Sequence, residues 1–311
     1  MIKTVASVAL PVDETLAIKK RRLQPAGKTK GMKRISIVTG IHGDELEGQY
    51  VCFEVAKRIE ENIDKLKGIV DIYPAMNPLG IDSITRGIPA FDLDMNRLFP
   101  GNIDGNMTEY LAAEIMKDVS GSDLVVDIHA SNIYLTEIPQ IRINELHEEV
   151  LVPFAKESNV DFVWVHGAST VLESTFAYSL NSTGTPCLVA EMGVGMRVNH
   201  EICSRFTQGI FNLLHDMGMW LEEVDNSILS ESIVCKGDCV EFLNADVSGV
   251  FITKKKTGEK LRKGESIGSI VNPMEGKVLS EIVSPCDGFL FTIRAYPIVY
   301  EGSLMGRIYK G

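Results

Sequence analysis

The chain lacks any apolar run that approaches the roughly 20 residues needed to cross a membrane as a helix. Its first ten residues include a lysine, and they are too short and interrupted for the apolar region of a secretory signal peptide. These absences exclude a protein with a membrane-spanning helix. They predict that the protein is located in the cytoplasm. The 311 residues are enough to bury a large core, and one large domain with a smaller one is the natural expectation.

An excess of basic residues is also missing. The formal net charge is -11, which excludes nucleic acid or an anionic membrane as the main partner. It does not exclude an anionic small molecule, because a few local arginines override the global charge. The short basic run from Lys19 to Arg22 is interpreted as a solvated strand face rather than a binding patch.

The six cysteines do not have the spacing of a disulfide framework. Cys235 and Cys239 are separated by three residues, a poor match to the paired cysteines of zinc knuckles. We therefore predict mostly buried thiols in a reducing compartment.

Short apolar runs alternate with amphipathic stretches over most of the chain. Apolar residues at helical spacing form three stripes, at 51–66, 111–119 and 202–217. This alternation predicts an α/β domain with a mostly parallel or mixed sheet. The predicted strands are Ile35–Val38, Ile69–Tyr73, Leu124–Ile128, Phe162–Val165 and Leu188–Ala190.

The pattern changes after Asp225, where helical periodicity stops and short alternating runs lie between glycine-containing turns. We predict a larger α/β domain over residues 1–225 and a small all-β domain over 226–311. Residues 260–270 and 299–308 resemble each other, as do the two halves of a biotinyl/lipoyl-like sandwich. Lys277 is a poor copy of the carrier lysine of such domains, so a structural role is preferred. The first 25 residues also have β character, and their place is left open.

The segment from His42 to Glu45 stands where an apolar strand gives way to a helix. A histidine and a carboxylate three residues apart at such a position can contact one metal ion. His129 follows another predicted strand, at the same edge of the sheet. Two histidines and one carboxylate are typical of an open zinc site, which favours metal-assisted hydrolysis. The alternative is a cluster at a helix start and an unrelated loop histidine.

Three further groups suit the same chemistry. Asn96 and Arg97 offer an amide and a forked guanidinium for a substrate carboxylate, although Arg97 paired with Asp92 or Asp94 is an equal alternative. Arg86 is a second cation on the same segment. Glu191 ends an apolar strand and suits a general base, unless it only caps the turn that follows.

Taken in order, these motifs resemble the succinylglutamate desuccinylase/aspartoacylase family of zinc carboxypeptidase-like hydrolases. The resemblance covers the chain from about residue 34 to the end and also includes Asn77–Gly80 and Asp127. It implies the following roles: zinc, one ion per chain, bound by His42, Glu45 and His129; Glu191 as general base; Arg86 as stabiliser of the oxyanion; and Asn96 and Arg97 as holders of a substrate carboxylate. Asp127 shares a strand face with His129, so it is interpreted as the residue that orients a zinc histidine or, equally, as a buried structural acid.

The chain differs from aspartoacylase, a member of the family it resembles, in one feature. Aspartoacylase has a further arginine shortly before the catalytic glutamate. Residues 175–185 contain no arginine here, so aspartate or glutamate as the leaving amino acid is in doubt. Arg142 or Arg197 could substitute, and Tyr296 could reach the cleft from the β domain.

The predicted function is a zinc-dependent amidohydrolase that cleaves a small N-acyl amino acid or related N-acyl amine. The alternatives are a metallocarboxypeptidase acting on peptide C-termini and a non-catalytic binding protein on the same scaffold. The expected partner is the small N-acyl substrate, without nucleic acid or membrane, and homo-oligomerisation is left open.

Overall fold

The structure is a computed structural model that describes residues 1–167, 173–222 and 231–311. Six α-helices lie within the described residues, and the three longest follow the predicted apolar stripes. None of the described helices is long and apolar enough to cross a membrane. The helices are α1 (Glu47–Glu61), α2 (Pro78–Ser83), α3 (Met107–Val119), α4 (Glu148–Glu157), α5 (Phe176–Ser182) and α6 (His200–Asp216).

The strands of the first 222 residues include the five that were predicted: Ile69–Tyr73 has the predicted bounds, and the other four are one to four residues longer. Two strands at the N-terminus and one long strand after His129 complete this part. The strands are β1 (Ile2–Ala9), β2 (Thr15–Leu23), β3 (Arg34–Thr39), β4 (Ile69–Tyr73), β5 (Leu124–Ala130), β6 (Leu135–Asn144), β7 (Phe162–His166) and β8 (Cys187–Gly193).

The centre of the sheet is parallel, with the order β4-β3-β5-β8. These strands are almost continuously apolar because helices cover both of their faces. Helices α1, α4 and α6 contribute to the core on one face, and α3 and α5 contribute to the core on the other. The carboxyl ends of β3, β5 and β8 therefore meet at one edge, which is where the sequence placed its metal ligands.

The N-terminal residues form a β1–β2 hairpin, and β2 joins the sheet antiparallel to β4. The interpretation of the basic run as a solvated strand face is wrong for half of it. Lys20 and Arg22 share the inward face of β2 with Leu16 and Ile18. Both bond to the fully buried Asp71: Lys20 Nζ lies 3.1 Å from Oδ2, and Arg22 donates to both carboxylate oxygens.

Residues 231–311 are built of short strands, as predicted. They are β9 (Ile233–Lys236), β10 (Val240–Asn244), β11 (Gly249–Thr253), β12 (Lys260–Leu261), β13 (Ser266–Asn272), β14 (Lys277–Val283), β15 (Gly288–Arg294), β16 (Ile298–Val299) and β17 (Leu304–Tyr309).

We call these residues the β region. Four of its strands form a separate antiparallel sheet in the order β14-β13-β11-β16. The others continue the main sheet, because β15 pairs antiparallel with β6 and β9 pairs parallel with β7. The predicted boundary at 225/226 lies outside the described residues. Strand β6 thus contacts both β8 of the parallel centre and β15 of the β region.

Cys235 and Cys239 are joined by a disulfide, so the prediction of unpaired thiols is wrong for this pair. Cys235 is the third residue of β9, and Cys239 immediately precedes β10, so their side chains meet across the intervening turn. The other cysteines are free, and all but Cys286 are buried. Lys277 at the start of β14 is exposed and pairs with Glu275 at 3.0 Å, and its structural role stays a prediction.

Candidate active site

His42, Glu45 and His129 converge at the carboxyl edge of the sheet. His42 follows β3, and His129 is the penultimate residue of β5. Glu45 lies between the two rings: Oε1 is 2.8 Å from Nδ1 of His42, and Oε2 is 2.9 Å from Nδ1 of His129. All three side chains are buried, and one potential ligand atom from each lies within 4.8 Å of the others.

The second nitrogen of each histidine faces a carboxylate. Nε2 of His42 lies 3.0 Å from Oδ1 of Asp94, and Nε2 of His129 lies 3.1 Å from Oδ2 of Asp127. A carboxylate on the outer nitrogen fixes the ring orientation and leaves the inner nitrogen for a metal. The expected contact of Asp127 with His129 is therefore present. Asp94 was anticipated only as a partner for Arg97.

These residues fit a zinc ion. The donors are two imidazole nitrogens and one carboxylate, the set that open zinc sites use, and both inner nitrogens are Nδ1. Burial lowers the pKa of His129, but the charges of Asp127 and Glu45 outweigh burial and raise it well above its usual value. Burial raises the pKa of Glu45, but the charges of His129 and His42 outweigh that effect and lower it. The carboxylates thus favour a cation at this position.

A close backbone contact positions the His42–Glu45 turn. A Cβ on Gly43 would lie 2.0 Å from the carbonyl carbon of Gly80, so only glycine fits. Asn77 holds the other side of the contact, since its Oδ1 accepts from Gly80 N and its Nδ2 donates to Gly87 O. The Asn77–Gly80 motif thus supports the His42–Glu45 turn and the segment that carries Arg86.

Helix α1 begins at Glu47, two residues after Glu45. Glu45 therefore belongs to the turn, where its amide donates to His42 O at 3.3 Å. This placement lets the carboxylate reach back between the two histidines. It also brings its Oε2 within 3.2 Å of the amide of Ala130.

Arg86 lies at the rim of this cluster. Its Nη1 is 3.1 Å from Glu45 Oε1, and its Nη2 is 3.3 Å from Asp94 Oδ2. The side chain is 42% exposed, so the guanidinium faces both the buried carboxylates and open space. Burial raises the pKa of Asp94, but the hydrogen bond and charge of His42, with the charge of Arg86, lower it overall.

Asn96 and Arg97 line the same cleft on a short turn after Asp94. Oδ1 of Asn96 accepts from the amide of Phe176 at 2.8 Å, which ties this turn to the start of α5. Arg97 donates a hydrogen bond to the backbone oxygen of Asn96, and its Nη2 lies 3.9 Å from Oδ2 of Asp94. The anticipated pairing with Asp94 is therefore present but long, and the Arg97 side chain is 41% exposed.

Glu191 lies beside His129, because the two residues are paired in the β5–β8 ladder. Its Oε1 accepts from Nη1 of Arg142 at 3.1 Å. Burial raises the pKa of the Glu191 carboxyl, and the charge of Arg142 opposes this effect. The end of strand β8 thus places a carboxylate next to His129, one of the candidate metal ligands.

All seven predicted site residues line one cavity of about 320 Å³, within the size range of small-molecule pockets. On the side of α5 the wall is uncharged, and it includes Tyr178 and Asn181. Arg142 and Arg307 also line the cavity. Of the two arginines suggested as substitutes, Arg142 lies in the cleft, whereas Arg197 donates to Met196 O outside it.

Tyr296 is not among the described residues that line the cleft, and it packs edge-on against Tyr134 at 5.8 Å. Sequence reasoning missed Glu137, which is 1% exposed, and Arg307. Both lie on strands, β6 and β17, that carry polar residues inward and therefore lack a simple apolar signature.

The family model for the succinylglutamate desuccinylase/aspartoacylase catalytic domain matches residues 31–217. This match covers more than half of the chain and includes all seven predicted site residues. The chain therefore belongs to the succinylglutamate desuccinylase/aspartoacylase family.

Relatives agree with this assignment. The N-alpha-acetyl-L-2,4-diaminobutyric acid deacetylase of Halomonas elongata is 25% identical over 239 residues, which are 74% of this chain and 68% of the relative. The product-bound ectoine utilization protein EutE (DoeB) from Ruegeria pomeroyi superposes with a TM-score of 0.82 at 19% identity, covering 98% of this chain and 93% of its own. A succinylglutamate desuccinylase/aspartoacylase from Rhodobacter sphaeroides has a TM-score of 0.81 at 22% identity, covering 99% and 95%. These structural likenesses show that the whole fold is shared.

Proposed function

We propose that this protein is a zinc-dependent deacylase that hydrolyses the amide bond of a small N-acyl amino acid or related N-acyl amine. The observation that carries the proposal is the convergence of His42, Glu45 and His129, with Glu191 beside them on the adjacent strand. Membership of a family that includes desuccinylases, and similarity to a deacetylase, support the same reaction class.

His42, Glu45 and His129 would hold the zinc ion, with Asp94 and Asp127 orienting the two rings. When bound, zinc supplies a Lewis acid that polarises the amide carbonyl and lowers the pKa of water to about 7. Glu191 accepts the proton of the attacking water and delivers it to the leaving nitrogen. Arg86, at the rim of the cluster, donates to the carbonyl oxygen as negative charge develops there.

Arg97 and the amide nitrogen of Asn96 hold the substrate carboxylate at the exposed end of the cleft. The long Arg97–Asp94 separation of 3.9 Å supports this role, because the guanidinium is not tightly paired. The α5 wall offers no arginine for a second carboxylate, and Arg142 is neutralised by Glu137 and Glu191. We therefore expect an uncharged side chain on the leaving amino acid to be preferred over that of aspartate or glutamate.

The test is hydrolysis of N-acetyl and N-succinyl derivatives of neutral, acidic and basic amino acids, alongside short peptides, with metal content measured on the same sample. Turnover of acyl amino acids by a zinc-containing protein would support the proposal. Peptide cleavage alone would identify a carboxypeptidase, and no zinc with no turnover after metal addition would identify a binding protein.

A further inference from the structure

Glu137 is a buried carboxylate that receives hydrogen bonds from three side chains. Arg142 Nη2 donates to both of its oxygens at 2.9 Å. Arg307 Nη1 lies 2.5 Å from Oε1, and the Thr292 hydroxyl donates to the same oxygen at 3.1 Å. Such a densely bonded carboxylate has its position determined by its surroundings.

The donors come from different parts of the chain. Arg142 lies on β6, as Glu137 does, whereas Thr292 and Arg307 belong to β15 and β17 of the β region. Thr292 is directly opposite Glu137 in the β6–β15 ladder and is completely buried. The cluster therefore lies at the junction where the β region continues the main sheet.

The same cluster reaches the proposed general base. Gln140 is paired with Glu191 across the β6–β8 ladder, so Arg142, two residues further along β6, is the diagonal neighbour of Glu191. One guanidinium thus bonds to Glu137 through Nη2 and to Glu191 through Nη1. Within the described residues, Oε1 is the Glu191 oxygen that has a hydrogen-bond donor.

We propose that Arg142 and Glu137 are positioning residues for Glu191 and that the β region takes part in catalysis by holding them. Arg142 fixes Oε1 of Glu191 and leaves the other oxygen for proton transfer. Glu137 fixes Arg142, and Thr292 and Arg307 of the β region fix Glu137. This inference rests on the proposed function, since it assigns Glu191 the role of base.

The first test is Arg142→Ala, assayed with and without millimolar methylguanidinium. We expect kcat to fall about 10²-fold, because a misplaced catalytic group costs about that much. KM for the acyl amino acid should stay within about twofold, because Arg142 acts through Glu191 in the transition state. Added methylguanidinium should restore part of kcat by occupying the vacated guanidinium position, an effect that a purely structural role would not produce.

Arg58→Ala is the matched control. Arg58 bonds to Gln208 and stacks on Phe211 at 4.0 Å, and its side chain is 31% exposed compared with 25% for Arg142. It lies outside the cleft, so its removal should leave kcat unchanged and methylguanidinium should have no effect. Unchanged kcat in Arg142→Ala, or loss that methylguanidinium does not restore, would overturn the proposal.

The contribution of the β region is tested by Thr292→Val, which removes one hydroxyl from a buried site with little change in shape. We expect kcat to fall about fivefold with KM unchanged, as for the loss of one hydrogen bond in the positioning chain. If Arg142→Ala does not fold, Thr292→Val alone tests whether the β region helps to position Glu191. A folded Thr292→Val protein with the kcat of the wild type would then overturn the proposal. A wild-type protein that binds zinc but hydrolyses no acyl amide would instead refute the proposed function itself.

Discussion

His129 and Glu191 are paired residues on the neighbouring parallel strands β5 and β8. Strands in a sheet lie about 4.8 Å apart, so the proposed metal ligand and the proposed base are held side by side by backbone hydrogen bonds. Each side chain emerges near the carboxyl end of its strand, at the edge where open α/β sheets bind ligands. The register of two buried strands therefore determines the distance between metal and base.

Glu191→Gln should abolish proton transfer while preserving the shape of the site. We expect kcat to fall by about 10²- to 10⁴-fold, the usual contribution of a general base. Zinc content should be unchanged, because Glu191 is not a ligand. Glu281→Gln, an exposed change in the β region, serves as the control for the same chemical substitution. Full activity in Glu191→Gln would remove Glu191 from the mechanism.

Asp94→Asn should weaken metal binding without removing a ligand. The variant loses the carboxylate that orients His42, and such changes cost about 10- to 100-fold in metal affinity. Competition with a chromogenic zinc chelator measures the effect. Asp92→Asn on the same loop is exposed and should retain the wild-type affinity. Equal affinities in the two variants would show that Asp94 does not support the metal site.

Arg97→Met should raise KM for acyl amino acids by about 10- to 100-fold, as expected for losing a hydrogen bond to a charged group. For an N-acyl amine that lacks the carboxylate, the variant and the wild type should have the same kcat/KM. The control is Arg262→Met at an exposed position of the β region. An equal loss on both substrates would show that Arg97 stabilises the loop rather than the substrate.

Asp71→Asn should destabilise the fold, because it removes the buried carboxylate that pairs with both Lys20 and Arg22, whereas Lys20 keeps its contact with Asp118. Breaking such a buried pair costs about 3–5 kcal/mol, which urea unfolding at neutral pH would measure. A variant with wild-type stability would show that the cluster contributes nothing to the fold.

The ion pairs of Asp71 also predict how the stability of the fold depends on pH. Burial raises the pKa of Asp71, but its bonds with Arg22 and the charge of Lys20 outweigh burial and lower it. A lowered folded-state pKa contributes stability that is present above the unfolded value of about 3.9 and is lost as pH falls through the folded value. The stability difference between wild type and Asp71→Asn should therefore shrink as pH falls below about 4. A difference that is constant with pH would contradict this assignment.

Much of the fold could be predicted because its central strands are buried on both faces and so are almost purely apolar. Strand β6 escaped prediction because Glu137, Pro139, Gln140 and Arg142 interrupt its apolar pattern. Glu137 and Arg142 are tolerated there because they bond to each other, to Glu191 and to the β region. The inward Lys20 and Arg22 were misread for a similar reason, since their partner Asp71 lies about 50 residues away in the sequence.

The proposed metal ligands could be picked out from the sequence because they follow recognisable strand ends, but the contacts around them could not. The bond between His42 and Asp94 joins residues 52 positions apart through a loop with no regular periodicity. The contact of Gly43 with Gly80 depends on how two turns pack. Such relationships are set by tertiary packing, which local patterns do not report.

The most direct test of the metal site is removal and return of zinc in wild type and in Glu45→Gln, with metal content and acyl amino acid hydrolysis measured together. We predict that chelation abolishes wild-type activity, that a single equivalent of zinc per chain restores it, and that Glu45→Gln neither retains zinc nor recovers. Full hydrolysis by wild-type protein shown to be free of metal would contradict the account.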